Sequence, residues 1–337
     1  MKLLLTGSTG FVGRNLLLEL LKKKKYSTIY LPVRKEQKLK EQLKEEGIET
    51  LPGEIQLLPR EAPDWDFSDV QDVDHVVHSA GVLSGNSLAD YTRTNTQGTL
   101  NLMRTLVGAK KIIVLSSQAA SGPCLAGQNL KSERDPDNPV TWYGISKLEM
   151  EKQLENEFPQ SNFVCLRPPM ILGPRDTATL PLFKMAQAPF QFKPGFSQKQ
   201  YSFVAVQDLV SAIFKALALP VDFRNCALRK FFVASEKTIT DIELISTATQ
   251  VMNKKSRLLK IPQPMIWGIS QVVGNIPALR KAIPNLSKDR AKEIWPDKWV
   301  ISAKSFEEQF DWKAQMTLQS SLKETLDWYV KTGQMRV

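Results

Sequence analysis

Tyr143 and Lys147 stand four residues apart in "TWYGISK", so on a helix they share one face. A tyrosine free in water has a pKa near ~10 and is a poor acid or base at neutral pH. An ammonium one turn away stabilises the phenolate and lowers that value. Such a phenol can pass a proton to or from a substrate oxygen. The same lysine can hold a cofactor ribose. Tyr-x-x-x-Lys alone arises by chance in many helices. It gains weight from Ser116 and Ser117, which close the apolar run "KIIVLSS" before it. A serine hydroxyl there can bond the same substrate oxygen.

Upstream, the start of the chain offers a seat for a dinucleotide. In "MKLLLTGSTGFVGRNLLLELL" three glycines, Gly7, Gly10 and Gly13, follow a short apolar run directly. Gly7 allows a tight turn, Gly10 lets the backbone approach a pyrophosphate, and Gly13 lets a helix pack close to a sheet. The helix start then offers free N–H groups and partial positive charge to phosphates. The end of the second strand selects the dinucleotide. An NAD site there usually carries Asp or Glu for the ribose 2′-hydroxyl. "PVRKEQK" instead puts Arg34 at that end, beside Lys35. A guanidinium suits a 2′-phosphate, so the expected cofactor is NADP(H), with NAD(H) as the alternative.

The elements that must position these groups are legible from periodicity. Strands are expected at Leu3–Leu5, Thr28–Val33, Glu54–Leu58, within Asp74–Gly81, at Lys111–Ser117 and at Asn162–Pro168. Helices are expected at Gly10–Lys24, Glu36–Glu46, Asn95–Leu106 and Tyr143–Phe158. Strand and helix alternate throughout, which predicts an α/β fold with a doubly wound parallel sheet, the Rossmann arrangement. Residues 1–175 form the nucleotide-binding domain in this reading, its core continuing into part of the second half. Residues 176–337 supply mainly a smaller C-terminal substrate-binding lobe and C-terminal helices. The apolar stretch Ile261–Leu279, with prolines at both ends, reads as a core or lid helix, with docking on a membrane surface as the alternative.

Composition narrows the class. A chain of 337 residues with 42% hydrophobic and 24% charged residues is globular and has no apolar run long enough to span a membrane. Lys2 precedes an apolar run, Leu3 to Leu5, that breaks at Thr6-Gly7, too early for a signal peptide. Three scattered cysteines exclude a disulfide framework and a zinc site. No metal is expected, and a reduced, cytoplasmic location is. The net charge is +10, but the densest basic run, Lys22–Lys25, falls where the first helix should end and complements its dipole. No motif supports nucleic-acid binding. His75 and His78, the two histidines, share one strand and read as packed or backbone-bonded. Arg167 reads as structural, and Arg175 is balanced between a structural role and an acidic substrate. Trp295, Trp299, Trp312 and Trp328 read as packing residues of the C-terminal lobe.

Together these stretches resemble the extended short-chain dehydrogenase/reductase family, NAD-dependent epimerase/dehydratase-like, over most of the chain. "TGSTGFVG" resembles its nucleotide loop, which puts Gly7, Thr9, Gly10, Phe11, Val12 and Gly13 on the cofactor. "HSAG" resembles its strand-four motif, placing Ser79, Ala80 and Gly81 near the adenine ribose and pyrophosphate. "TNTQGTLNL" is similar to the helix that carries Asn95, and "LRPPMILGPRD" to the loop where Pro168 and Ile171 flank the nicotinamide. "LSSQAASG" resembles the catalytic-serine strand, and by its distance to Gly122 the resemblance selects Ser117 rather than Ser116. The catalytic set it implies is Ser117, Tyr143 and Lys147, with the last two also touching cofactor. The family's acidic–apolar pair after strand three has its nearest match in Asp66-Phe67, later than the family places it. Further along, "FFVASEKTITDIELI" and the C-terminal stretch are similar to 3β-hydroxysteroid dehydrogenases and dihydroflavonol reductases. The resemblance implies an enzyme that interconverts a hydrophobic ketone or aldehyde and its alcohol. Nucleotide-sugar epimerases or dehydratases with tightly held NAD, and fatty-acyl or thioester reductases, are the alternatives. A dehydratase would want an acidic residue beside the serine, where Gln118 and Ala119 stand. A small-molecule substrate is the expected partner, in a homodimer or a monomer.

Overall fold

The structure is a computed structural model that describes residues 1–106, 108–226, 228–262, 264–265, 268 and 289–336. Past Pro262, most of the apolar stretch Ile261–Leu279 lies outside the described residues. The strands are β1 (Lys2–Thr6), β2 (Thr28–Pro32), β3 (Ile55–Leu58), β4 (His75–His78), β5 (Lys111–Leu115), β6 (Phe163–Arg167), β7 (Met170–Leu172), β8 (Phe190–Pro194), β9 (Gln200–Tyr201), β10 (Phe203–Ala205), β11 (Lys230–Phe232), β12 (Ile239–Thr240), β13 (Arg257–Ile261) and β14 (Lys298–Trp299). The helices are α1 (Phe11–Lys23), α2 (Glu36–Lys44), α3 (Leu88–Tyr91), α4 (Gly98–Leu106), α5 (Gln118–Ser121), α6 (Trp142–Glu157), α7 (Leu180–Ala186), α8 (Val206–Ala218), α9 (Asp241–Val251), α10 (Lys304–Phe310) and α11 (Leu318–Lys331).

Seven strands form one parallel sheet in the order β11-β6-β5-β4-β1-β2-β3. The chain starts in the middle, winds outward on one side through β2 and β3, then returns to β4 and winds the other way. This is the doubly wound Rossmann sheet, whose reversal between β1 and β4 opens a crevice at the strand ends. Covering a sheet on both faces demands strands that are apolar without alternation. Leu3 and Leu5 of β1 accordingly join an apolar layer with Leu16 and Leu17 of α1 and Ile213 of α8, while Leu4 joins Met103 of α4 and Met150 of α6 on the other face.

Two differences from the sequence reading have physical causes. The helix expected from Asn95 begins at Leu88, because Ser87 and Asp90 form a reciprocal capping box there. It then widens into a π-helical turn, Thr92–Gln97, before α4. The seventh strand, β11, is only three residues long and too short to show a period. It sits beyond residue 175, as does α8, so the second half completes the sheet and its covering layer. The remaining strands pair in small sheets, β10 with β7, β12 with β9 and β14, and β13 with β8. A third apolar cluster joins Phe183 of α7, Ala248 of α9 and Leu322, Leu326 and Tyr329 of α11. Trp299 and Trp312 are buried. Among the described residues, no helix is long and apolar enough to cross a membrane.

Candidate active site

The crevice begins at the turn from β1 to α1. Gly7 has φ of +73°, and a Cβ there would lie 2.7 Å from the Ala80 amide nitrogen. At Gly13 a Cβ would lie 2.1 Å from the Gly7 carbonyl oxygen, so the helix can start this close to the turn only with glycine there. Gly10 is different. Its added Cβ would meet only the Gly7 oxygen, at 3.2 Å, and the residue is exposed. Gly10 caps α1 without a side chain, and no acidic residue occupies the first turn. The first N–H groups of α1 are left for an anion. Thr9, Phe11 and Val12 surround this point, half-buried. The Thr9 carbonyl accepts a bond from Gln42 of α2 at 3.2 Å. Ser8 is fully buried, and its hydroxyl has no partner among the described residues.

The neighbouring strand end is stitched to the same turn. Ser79 donates its hydroxyl to the Thr6 carbonyl at 2.7 Å, and the Ala80 amide donates to the Thr6 hydroxyl at 3.2 Å. His78 lies beneath, bonded to the Thr6 hydroxyl at 2.8 Å and the Thr99 hydroxyl at 2.9 Å. Burial pushes its imidazole down to about 3, so the ring stays neutral. His75 bonds the Tyr26 hydroxyl at 2.7 Å, and burial takes it down to about 4. Both histidines hold structure.

Arg34 stands two residues past β2, exposed, with its Nε 3.4 Å from a Glu61 carboxylate that is itself exposed. Most of the guanidinium therefore remains open to a ligand. Asp66 lies apart from β3. The flanking Trp65 and Phe67 are buried, and the exposed Asp66 carboxylate accepts from the Ser68 amide at 2.9 Å. Its backbone carbonyl is held by Arg60. Immediately beyond β3 the chain carries Pro59 and Arg60, with no carboxylate.

The residues expected to handle the proton lie around the end of β5. Ser117 is half-buried and caps α5, accepting from the Ala119 amide at 3.1 Å. Ser116 is buried, and its hydroxyl has no partner among the described residues. Tyr143 opens α6, with its ring 6.3 Å from the Tyr91 ring. One turn on, Lys147 donates to the Leu115 carbonyl at 2.8 Å, which ties α6 to the strand that delivers Ser117. Burial pushes the Lys147 ammonium down to about 8, against the opposing pull of Cys165 and Glu151. Gly81 completes the cluster, since a Cβ there would sit 3.4 Å from Lys147 Nζ and 3.1 Å from Asn95 Oδ1. Asn95, in the π-helical turn, accepts from the Val82 amide at 2.8 Å and donates to the Ser146 hydroxyl at 3.0 Å. It thus joins the loop after β4 to α6. On the far side, the Pro168 carbonyl accepts from the Gln118 amide at 2.9 Å, and Ile171 lies half-buried in β7.

Two groups in this region were not legible as site residues. A Cβ at Gly144 would lie 2.3 Å from the Ala119 carbonyl oxygen, so glycine after Tyr143 is what lets α6 start against α5. Beneath Lys147, the buried Glu151 accepts from Arg167 Nε at 2.9 Å, and Asp137 takes Arg167 Nη1 at 2.8 Å and Nη2 at 2.9 Å. Arg167 is thereby committed to structure. Arg175 is equally committed, with Glu46 at 2.7 Å and Asn15 at 2.8 Å. Among the described residues, no group of three His, Cys, Asp or Glu side chains could hold a metal.

Known proteins are similar to this chain in sequence and fold. The family model for the NAD dependent epimerase/dehydratase family matches residues 3–225. UDP-glucose 4-epimerase of Vibrio cholerae is 27% identical over 348 residues, covering 98% of this chain and 96% of that protein. Ceramide reductase of Caulobacter vibrioides is 26% identical, covering 76% and 74%. The decarboxylating sterol-4-alpha-carboxylate 3-dehydrogenase of Candida albicans is 24% identical, covering 82% and 83%. Among solved structures, UDP-glucuronic acid 4-epimerase from Bacillus cereus in complex with UDP-glucuronic acid and NAD superposes with a TM-score of 0.77, at 18% identity, over 98% of this chain and 100% of that one.

Proposed function

The chain belongs to the NAD dependent epimerase/dehydratase family, as an enzyme of the extended short-chain dehydrogenase/reductase type, and from that premise we propose that it interconverts a hydrophobic ketone or aldehyde and its alcohol with NADP(H). The residues present fit a dinucleotide. Gly10 leaves the start of α1 open to a pyrophosphate, and Gly81, Asn95 and Lys147 lie together where a ribose would rest. Arg34 is the observation that carries the NADP(H) choice, because a largely open guanidinium at the end of β2 suits a 2′-phosphate, the strand runs out through Pro32 and Val33 without an Asp or Glu, and the carboxylate near its Nε, Glu61, is itself exposed.

A nicotinamide held there would supply or accept the hydride. In the reductive direction the Tyr143 phenol gives its proton to the carbonyl oxygen as the carbon becomes an alcohol carbon. The Ser117 hydroxyl bonds that same oxygen and holds it in line. Lys147 keeps positive charge one turn below the phenol, which favours the phenolate left behind. The Leu115 carbonyl fixes where that charge sits. Residues after 175 that stay outside the central sheet form the lobe that covers the substrate. The ceramide reductase and sterol dehydrogenase relatives support an apolar substrate class.

A second reading rests on the Vibrio cholerae relative, which aligns with nearly the whole chain. In it the protein is a nucleotide-sugar epimerase that keeps NAD bound and returns the hydride to the same substrate. One experiment separates the two. The purified protein is denatured, any released nucleotide is identified, and the intact protein is titrated with NADPH and NADH. Empty protein with a clear preference for NADPH is the expected result, to be followed by turnover of a panel of apolar ketones, aldehydes and thioesters. Stoichiometric NAD surviving purification would overturn the proposal in favour of the epimerase.

A further inference from the structure

The paired strands β8 and β13 run parallel, with Phe190 beside Arg257 and Phe192 beside Leu259. A ribbon on a protein surface ordinarily turns polar side chains outward and apolar ones in. This one does the reverse. Gln191 and Lys193 are 3% and 0% exposed, while Phe190 and Phe192 are 45% and 49% exposed. Leu259 is 44% exposed, and Phe196, just past β8, is 65% exposed. The inward polar groups are well matched. Gln191 donates to the Thr249 hydroxyl at 2.7 Å, and Lys193 pairs with Asp241 at 2.6 Å and donates to the Ser197 carbonyl at 2.6 Å. These bonds pin the register, and a one-residue slip would undo all of them. The outward aromatic face is therefore enforced by the fold.

Charge adds a second observation. Neither residues 187–200 nor residues 252–265 include a single Asp or Glu. Lys254, Lys255, Arg257 and Lys260 are all exposed, and none has an ion-pair partner among the described residues. Lys254 and Lys255 precede β13 and Arg257 starts it beside Phe190, so these three form a short row at one end of the outward face, whereas Lys260, beside Lys193, belongs to the other face. An apolar centre bordered by such a row complements an extended anionic layer over an apolar one.

We propose that this ribbon docks the protein peripherally on bilayers that carry anionic lipid. Phe190, Phe192, Phe196 and Leu259 enter the boundary of the acyl chains, and Lys254, Lys255 and Arg257 meet the headgroups. The test is flotation of the full chain with vesicles of phosphatidylcholine alone and of phosphatidylcholine with one-third phosphatidylglycerol. Binding to the anionic vesicles is expected to be about tenfold tighter or more, and to weaken as salt rises. Phe192→Ser with Phe196→Ser is expected to lower that binding about tenfold, with NADPH affinity and Tm unchanged because both side chains already face water. Lys254→Glu with Lys255→Glu is expected to remove the preference for anionic lipid. Equal binding to both vesicle types, or equal flotation of wild type and variants, would overturn the proposal. So would a loss of self-association in the phenylalanine variant without vesicles, which would assign the face to a second copy of the chain.

Discussion

At the scale of the residue, the environment of Lys147 decides most. Its ammonium is buried, tied to the Leu115 carbonyl, and brought down to about 8 by burial. In the unfolded chain it would titrate near 10.5. Between these values the unfolded chain holds the extra proton, so this group's contribution to stability rises as pH climbs through that window. Activity should move the other way. The phenol is supported by the charged lysine, so reductive turnover is expected to fall above pH about 8, and Lys147→Arg should carry the break to higher pH in a kcat profile. Tyr143→Phe is expected to cost on the order of 10²–10⁴ in kcat with NADPH affinity unchanged in a direct titration. A pure nucleotide binder would lose nothing. Arg34→Ala is expected to weaken NADPH by roughly 10–100-fold while leaving NADH as it was, read from the two dissociation constants. Tyr143 and Lys147 were legible as one face of a helix because they stand four apart, and both do lie on α6, whereas Ser117 follows from the family resemblance rather than from spacing. Glu151 and Arg167 were not, because their bond joins positions sixteen apart on different elements and no local pattern announces it.

At the scale of the element, glycines and buried charges set how closely parts approach. Gly144→Ala would drive a methyl into the Ala119 carbonyl. Overpacking of this kind costs about 1–3 kcal/mol, and it would part the helix of Tyr143 from the turn of Ser117. A lower Tm together with a larger fall in kcat than in NADPH affinity is the expected outcome. Arg167→Met would leave Glu151 buried and unpaired, for which roughly 3–5 kcal/mol is expected, measured by denaturant unfolding. The apolar runs of β1, β4, β5 and β6 were readable because strands covered on both faces carry no polar alternation. The start of α3 was missed because Ser87 and Asp90 act through a cap, and the π-helical turn because its extra residue per turn leaves no mark in a period of 3.6.

At the scale of the whole molecule, the two halves share one core. Leu16 and Leu17 pack in the same layer as Ile213, Phe306 and Phe310. Thermal unfolding is expected to show one transition for these elements, and NADPH at a hundredfold over its Kd is expected to add about 2.7 kcal/mol, visible as a rise in Tm. Two transitions, with only one shifted by NADPH, would show that the halves unfold separately. The second half was the least legible part of the chain. Its strands are two to five residues long and, apart from β11, pair in small sheets, so their partners, rather than their own sequence, make them strands. The inverted alternation of β8 reads as an ordinary amphipathic strand until Asp241 and Thr249 are seen to hold its polar side inward.

The position of His78 has a practical consequence. Both its ring nitrogens are engaged by hydroxyls, and one of those hydroxyls belongs to Thr6, the residue before Gly7. The chain has two histidines, so an imidazole nitrogen spectrum contains two side chains and little overlap. His78 is a native magnetic-resonance probe seated under the turn from β1 to α1, and in 15N-enriched protein the arrival of a dinucleotide can be followed from its ring signals without a substitution.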